Sequence, residues 1–230
     1  MMSPPRYSTL GDQAIVVHFG ETIEPETFHC IGALARAIER AKPLGWIESV
    51  PAFTSLTLFC DPLLTTAARL TAVVELIVEA SQAEHEYAPR VIEIPVCYGG
   101  EYGVDLDFVA QHHRLSADEV ITLHANVDYL VHMIGFMPGF PYLGGLSSRL
   151  ATPRRATPRL NVLAGSVGIG GSQTGIYSLA SPGGWQIIGR TPLRLFSADR
   201  EPPVMLSSGD IVRFQSITSE QFRGLAEGEA

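Results

Sequence analysis

The sequence predicts an α+β protein in two parts, a small N-terminal α/β sandwich (residues 1–88) and a C-terminal domain of short strands and tight turns (residues 89–230). Three observations carry that reading. Two amphipathic helical segments, each following a pair of strand-like runs, fall before residue 84. The polar stretch from Ser81 to Arg90 ends in Pro89 and reads as a domain boundary. From Gly135 to Thr191, glycine and proline interrupt short β-branched and aromatic runs too often for long helices.

Taken in order, Tyr7–Leu10 and Ala14–Phe19 read as strands joined at Gly11-Asp12. Pro25 suits a first helical turn, and Phe28, Ile31, Leu34, Ala35 and Ile38 recur at three and four, so a helix is expected over 25–41. Pro43 and Gly45 stop it. Trp46–Val50 and Phe53–Cys60 are strand candidates. Phe53, Leu56, Leu58 and Phe59 alternate only partly, which suggests burial on both faces near the end of the second. A second helix over 65–83 places Ala67, Leu70, Val73, Val74 and Ile77 on one face.

Past the boundary, Val91–Tyr98 is a strand whose Pro95 suggests an edge or a bulge. Asp105–His113 reads as a short helix. Ser116-Ala-Asp-Glu119 is a capping box that starts another, running to about His124. Tyr129–Ile134, Trp185–Ile188, Leu193–Phe196 and Gly209–Ile217 supply strands, and Asp210 sits in a tight turn.

Composition excludes several function classes. The 230 residues carry a net charge of −8, unlike the basic footprint of a general nucleic-acid binder. Cys30, Cys60 and Cys97 are far apart and odd in number, and suit buried thiols in a reducing compartment. Met1–Arg6 holds no apolar signal core, so a cytoplasmic location is expected. No run is long enough for a membrane span. Lys42 is the one lysine against fifteen arginines, so an anion site in the second half must use arginine, backbone amides or a partner's residues.

The glycine run 165–175 lacks a following Gly-Lys-Ser/Thr and is no P-loop. It is either an anion nest of successive amides or a set of tight turns that need positive φ. A serine nucleophile is disfavoured, because Gly-x-Ser-x-Gly fails at both Ser166 and Ser172 and no histidine follows His132. No His-x-x-x-His occurs, so no metal site is expected. His124 ends a capped helix, where it could exchange a proton near pH 7; the helix C-terminus there favours the imidazolium.

Arginine is the strongest chemical signal. Pro153-Arg154-Arg155 and Pro158-Arg159 hold guanidinium groups on stiff backbone, and Arg190 closes an apolar strand. Arginine binds carboxylate and phosphate bidentately. His124, Arg190 and at least one of Arg154 and Arg159 are expected to converge near Gln173 on one rim of the C-terminal domain. Among the aromatic residues, Phe136, Phe140, Tyr142, Tyr177 and Trp185 read mostly as core. Those beside glycine and proline suit a binding face or a contact between subunits, self-association included.

Three segments also carry a family resemblance: Gly135-Phe-Met-Pro-Gly-Phe-Pro-Tyr-Leu-Gly-Gly-Leu146, Gly165-Ser-Val-Gly-Ile-Gly-Gly-Ser-Gln-Thr-Gly175, and Ser181-Pro-Gly-Gly-Trp-Gln-Ile-Ile-Gly-Arg-Thr-Pro192. They resemble the family of the 5-oxoprolinase B subunit, the sporulation-kinase inhibitor KipI and allophanate hydrolase subunit 1. Weaker resemblance runs from Tyr7 to Phe214. Leu163 departs from it, standing where that family has proline before Ala-Gly, which would alter a turn.

The resemblance implies that the C-terminal domain is a closed, cyclophilin-like β-barrel, and it places a histidine at His124. It implies one component of an ATP-dependent hydrolase, with magnesium accompanying the nucleotide. That enzyme would work with a homologous C subunit (KipA-like) and an A-like protein to open 5-oxo-L-proline to L-glutamate. His124 and Arg190 are then the expected catalytic residues. Arg154, Arg159, Gln173, Gly139, Phe140, Tyr142 and Gly175 are the expected substrate or anion contacts. A kinase-inhibiting binding protein, or a hydrolase acting on allophanate or a urea-derived acid, remain the alternatives.

Overall fold

The structure is a computed structural model that describes residues 4–22, 25–81 and 89–228. The chain divides into two compact units, Met1–Ala88 and Pro89–Ala230. The polar stretch that suggested the boundary lies, over residues 82–88, outside the described residues, as does the expected end of the second helix.

The first unit runs β1 (Arg6–Thr9), β2 (Ala14–His18), α1 (Pro25–Ala41), β3 (Trp46–Pro51), β4 (Ser55–Cys60) and α2 (Ala67–Ser81). Its strands form an antiparallel sheet in the order β1-β2-β4-β3. Ile15 and Val17 of β2 and Leu56 and Leu58 of β4 pack in one core with Ile31, Leu34 and Ile38 of α1 and Leu70 and Val74 of α2. Both helices therefore cover the same face. Accordingly β4 alternates strictly, with Leu56, Leu58 and Cys60 buried and Phe59 only half-buried, rather than being buried on both faces. Val73, expected on the apolar face of α2, is exposed. Cys60 and Cys97 are buried free thiols, but Cys30 is only half-buried.

The second unit contains β5 (Val91–Tyr98), α3 (Leu106–His113), α4 (Ala117–Ala125), β6 (Asp128–Ile134), β7 (Pro141–Gly144), β8 (Arg159–Val162), β9 (Ser166–Gly170), β10 (Gln173–Ile176), β11 (Ser181–Gly183), β12 (Gln186–Arg190), β13 (Ile211–Ser216) and α5 (Ser219–Gly228). Seven strands close a barrel in the order β10-β7-β6-β13-β5-β12-β9, and β8 and β11 form a separate two-stranded ribbon. The expected α+β class, with its closed C-terminal barrel, is thus present. The β5–β13 pair is parallel and the other barrel pairs are antiparallel.

Inward residues from all seven barrel strands, among them Ile94, Val131, Leu143, Val167, Ile169, Ile176, Ile188 and Val212, make one core with Leu106, Val109 and Ala110 of α3 and Val120 of α4. The barrel is filled, as small barrels are. The capping box of α4 forms as expected: Glu119 N donates to Ser116 Oγ at 3.2 Å, and Ser116 N donates to Glu119 Oε2 at 2.8 Å.

Two expectations need correction. β5 is an inner strand rather than an edge, but β12 pairs only with its Cys97 and Tyr98. The missing N–H of Pro95 thus falls where β12 makes no pair. Leu193–Phe196 forms no strand, only an isolated bridge between Phe196 and Val204. A closed barrel offers no edge for another strand to join.

Candidate functional site

The glycine run resolves into a strand whose two faces do different things. In β9, Val167 and Ile169 point into the barrel, while Gly168 and Gly170 lie on the outer wall. A Cβ at Gly170 would sit 2.5 Å from Trp185 Nε1, and one at Gly168 would sit 3.2 Å from Trp185 Cβ. The bare strand is what lets the indole lie flat on the wall. On β10, a Cβ at Gly175 would be 2.8 Å from Pro141 O and 3.1 Å from Phe140 Cζ. The run is therefore a packed hairpin, and its glycines make room for aromatic rings.

Those rings form a second core outside the barrel: Phe140, Val162, Tyr177, Trp185 and Ile187, with Met137 and Tyr142 against them. Phe140 is its centre, edge-on to Tyr177 at 5.4 Å, Trp185 at 5.6 Å and Tyr142 at 5.0 Å between ring centroids. Such pairs add to the burial of the rings themselves. Phe136 reaches the same cluster from the solvent side, 65% exposed and with φ +66, a backbone conformation that bulky residues seldom adopt.

An arginine–carboxylate cluster borders this layer. Asp105, the residue before α3, is 5% exposed. Its carboxylate accepts from Arg159 Nη1 at 2.8 Å and Nη2 at 2.7 Å, from Arg155 Nη1 at 3.3 Å, and from the backbone N–H of Ile187 in β12 at 2.7 Å. Arg155 N donates to Gly184 O at 2.7 Å. The Nε of Arg155 is buried with no hydrogen-bond partner among the described residues. Arg154, exposed, lies over Trp185 with its guanidinium carbon 5.8 Å from the ring centroid. Burial pushes the Tyr177 phenol upward. A hydrogen bond with the Trp185 backbone and the charges of Arg154 and Arg159 oppose that shift, which sets the phenol beside the arginines. The surface there is a concentrated positive patch on an acidic chain, with an aromatic wall behind it.

The expected site residues divide among three places. Arg154 and Arg159 lie in the cluster. Phe140, Gly139 and Gly175 are buried, and serve packing: Gly139 has φ +77, and a Cβ there would lie 3.0 Å from Phe196 Cβ. Tyr142 is half-buried in the aromatic layer. Gln173 opens β10 opposite Gly170.

Arg190 is elsewhere. In the β12–β9 register Gln186 faces Ile169 and Arg190 faces Ser166, so Arg190 stands at the far end of the strand from Gln173 and the cluster. Its Nε donates to Ala164 O at 2.8 Å, and its guanidinium carbon lies 5.9 Å from the Phe222 ring of α5. The expected convergence on one rim does not occur. Leu163, the departure noted above, closes the neighbouring turn through its carbonyl, which accepts from Ser166 N at 3.2 Å.

His124 is inside the barrel, fully buried and stacked on Phe214 at 4.7 Å. Its Nε2 is 2.9 Å from Thr174 Oγ1, and its Nδ1 is 2.9 Å from the Tyr98 hydroxyl. Burial lowers its pKa from 6.5 to about 3, overriding the pull of the helix C-terminus toward the imidazolium. A histidine so placed is a neutral core residue, out of reach of a ligand on the outer wall.

Among known proteins, the carboxyltransferase domain, subdomain C and D, matches residues 5–206. The chain belongs to that family. Within it, the chain is 46% identical over 228 residues to the B subunit of 5-oxoprolinase from Bacillus subtilis (strain 168), covering 95% of each chain. It is 43% identical over 213 residues to that of Escherichia coli O157:H7, covering 93% of this chain and 96% of the other. The fold matches the crystal structure of TTHA0988 with a TM-score of 0.80 at 37% identity, covering 90% of this chain but only 40% of that one. Against a conserved protein of Pyrococcus horikoshii, PH0987, the TM-score is 0.57 at 43% identity over 94% and 100% of the chains. The Kluyveromyces lactis urea carboxylase shares the fold, with a TM-score of 0.79 at 22% identity.

One residue of this carboxyltransferase-domain chain, Asp105, is not legible as a site residue in the sequence. Asp105 reads locally as an acidic helix start, and its arginine partners stand 50 and 54 positions away. Arg155, by contrast, belongs to the Pro153-Arg154-Arg155 step that the sequence already marks. The Gly103-Val-Asp105 start gives one clue: Asp105 precedes α3 yet its side chain makes no cap hydrogen bond. No helix among the described residues is long and apolar enough to cross a membrane, and no group of three His, Cys, Asp or Glu there could hold a metal ion.

Proposed function

We propose that the chain is the B subunit of an ATP-dependent 5-oxoprolinase, a cytoplasmic heteromeric hydrolase that opens 5-oxo-L-proline to L-glutamate. The observation that carries this reading is the 46% identity, over 95% of both chains, to a protein named as the 5-oxoprolinase B subunit. The arginine cluster supports it chemically, because 5-oxoproline presents a carboxylate beside a compact apolar ring. Arg155 and Arg159 are suited to the carboxylate.

The site is completed by a homologous C-type protein and an A-like protein, which bind ATP with its magnesium. The residues of this chain do not fit a nucleoside triphosphate. Its glycine run is filled by Trp185 and Phe140, and no Gly-Lys-Ser/Thr follows it. The chain alone is therefore inactive. Its contribution is to bind and orient the substrate and to exclude water from one side, which lowers the entropic part of the barrier.

Complementation tests the reading. A Bacillus subtilis strain lacking its own B subunit, given this chain, should regain growth on 5-oxoproline as nitrogen source. Failure of a stably expressed chain to restore growth would count against it.

A further inference from the structure

Asp105 has the position of a helix N-cap, where a carboxylate ordinarily accepts from the first-turn N–H groups. Here it makes no such bond. Its carboxylate instead accepts from Arg159, Arg155 and the Ile187 N–H. One buried carboxylate thus ties the 153–159 segment to barrel strand β12.

The donor count is informative. A guanidinium has five N–H groups. Arg159 gives two to Asp105, one from each terminal nitrogen, and keeps three. Arg155 gives one and keeps a buried Nε–H without an acceptor among the described residues. A buried donor left unmatched is costly, and an anionic oxygen is the acceptor that recovers most. Charge narrows the ligand. Arg155 and Arg159 leave a single positive charge on the groups in contact with Asp105, which a monoanion balances; the exposed Arg154 guanidinium over Trp185 adds a second outside that contact.

We propose that Asp105 is the positioning residue of a receptor for a single carboxylate, formed by the N–H groups of Arg155 and Arg159 that Asp105 leaves unused. Asp105 sets the plane of both guanidinium groups and trims their charge to that of the ligand. It touches no substrate atom. The inference rests on the 5-oxoprolinase reading only for naming 5-oxoproline as the physiological carboxylate.

Two experiments test it. In the complex assembled with its C-like and A-like partners, Asp105→Asn should raise the KM for 5-oxoproline about 10- to 100-fold while kcat changes little, the effect of one charge-assisted contact set adrift. Arg159→Lys should do the same, and the double variant should lose less than the sum of the two single losses, because Asp105 acts through Arg159 as well as through Arg155. A lowered melting temperature with unchanged KM, or additive losses in the double variant, would make Asp105 merely structural and overturn the proposal.

The second experiment uses the full chain by itself, labelled with ¹⁵N-arginine. The Arg155 Nε–H resonance should shift on titration with acetate and with 5-oxoproline, less with inorganic phosphate, and not in Asp105→Asn. No shift with any of the three, or a shift with phosphate alone, would overturn the proposal even if the variant of the first experiment failed to fold. A carboxylate-dependent shift in a chain whose assembled complex does not consume 5-oxoproline would keep the receptor and remove the 5-oxoprolinase reading.

Discussion

His124 Nε2 lies 2.9 Å from Thr174 Oγ1, and the same threonine hydroxyl donates its proton to Gly168 O at 3.0 Å. That fixes the direction of the chain of hydrogen bonds. Thr174 must accept from His124 Nε2–H, which leaves Nδ1 to accept from the Tyr98 hydroxyl. The imidazole is satisfied as one neutral tautomer and has no acceptor for a second proton.

The pH dependence of stability follows from this. In the unfolded chain His124 takes a proton near 6.5, and in the folded chain only near 3. Between those values the proton binds the unfolded state, so the stabilisation is present above about pH 6.5 and is lost as pH falls toward 3, at up to about 1.4 kcal/mol per pH unit. Urea unfolding from pH 8 to pH 4 should show the decline, and His124→Gln should lack this component. His124→Ala should cost about 3 kcal/mol or more at pH 8, through the cavity and the stranded Tyr98 and Thr174 hydroxyls. Turnover by His124→Gln in the assembled complex should persist, and a shifted pH–rate profile would restore the histidine to the chemistry.

Local signals made much of this fold legible. The three-and-four spacing placed α1, the Ser116–Glu119 box placed α4, and the β-branched run placed β5, all because each depends on neighbours in sequence. The helix α5 was missed although a signal existed. Thr218 and Gln221 form a reciprocal cap, at 2.8 and 3.2 Å, of the same kind that revealed α4. With Phe222 as its one buried side chain and Gly224 inside it, the segment carries little periodicity. The site was less legible. Pro-Arg steps marked Arg154 and Arg159, but Asp105 gains its role only once the barrel brings residues 105, 155, 159 and 187 together. Val-Gly-Ile-Gly looked like a loop motif, yet it is period-two strand alternation with the outward side chains deleted.

That alternation gives a stability prediction. Gly170→Ala should destabilise the chain by about 1–3 kcal/mol, since the new methyl would meet the Trp185 indole and backbone strands cannot move apart cheaply. Gly224→Ala in α5, where a Cβ meets nothing within 4 Å, should stabilise by up to about 1 kcal/mol through helix propensity. Paired thermal melts decide the matter, and equal effects would refute the packed-hairpin account.

The two arginine environments predict opposite phenotypes. Arg190→Ala removes the bond to Ala164 O and the contact with the Phe222 ring, so it should cost about 1–3 kcal/mol of stability and leave the KM for 5-oxoproline unchanged. Arg159→Lys should raise KM, because an ammonium cannot reproduce the planar fork held by Asp105. Kinetics of both variants in the assembled complex, with melts alongside, would expose an inverted assignment.

An obligatory, non-autonomous component of a 5-oxoprolinase must be both necessary for turnover and insufficient for it. The most direct measurement is glutamate released from 5-oxoproline by the purified chain and its C-like and A-like partners, with each component and ATP omitted in turn. The account predicts glutamate only from the complete mixture, and none from the chain alone. Undiminished release when this chain is left out, or no release from the complete mixture, would contradict it.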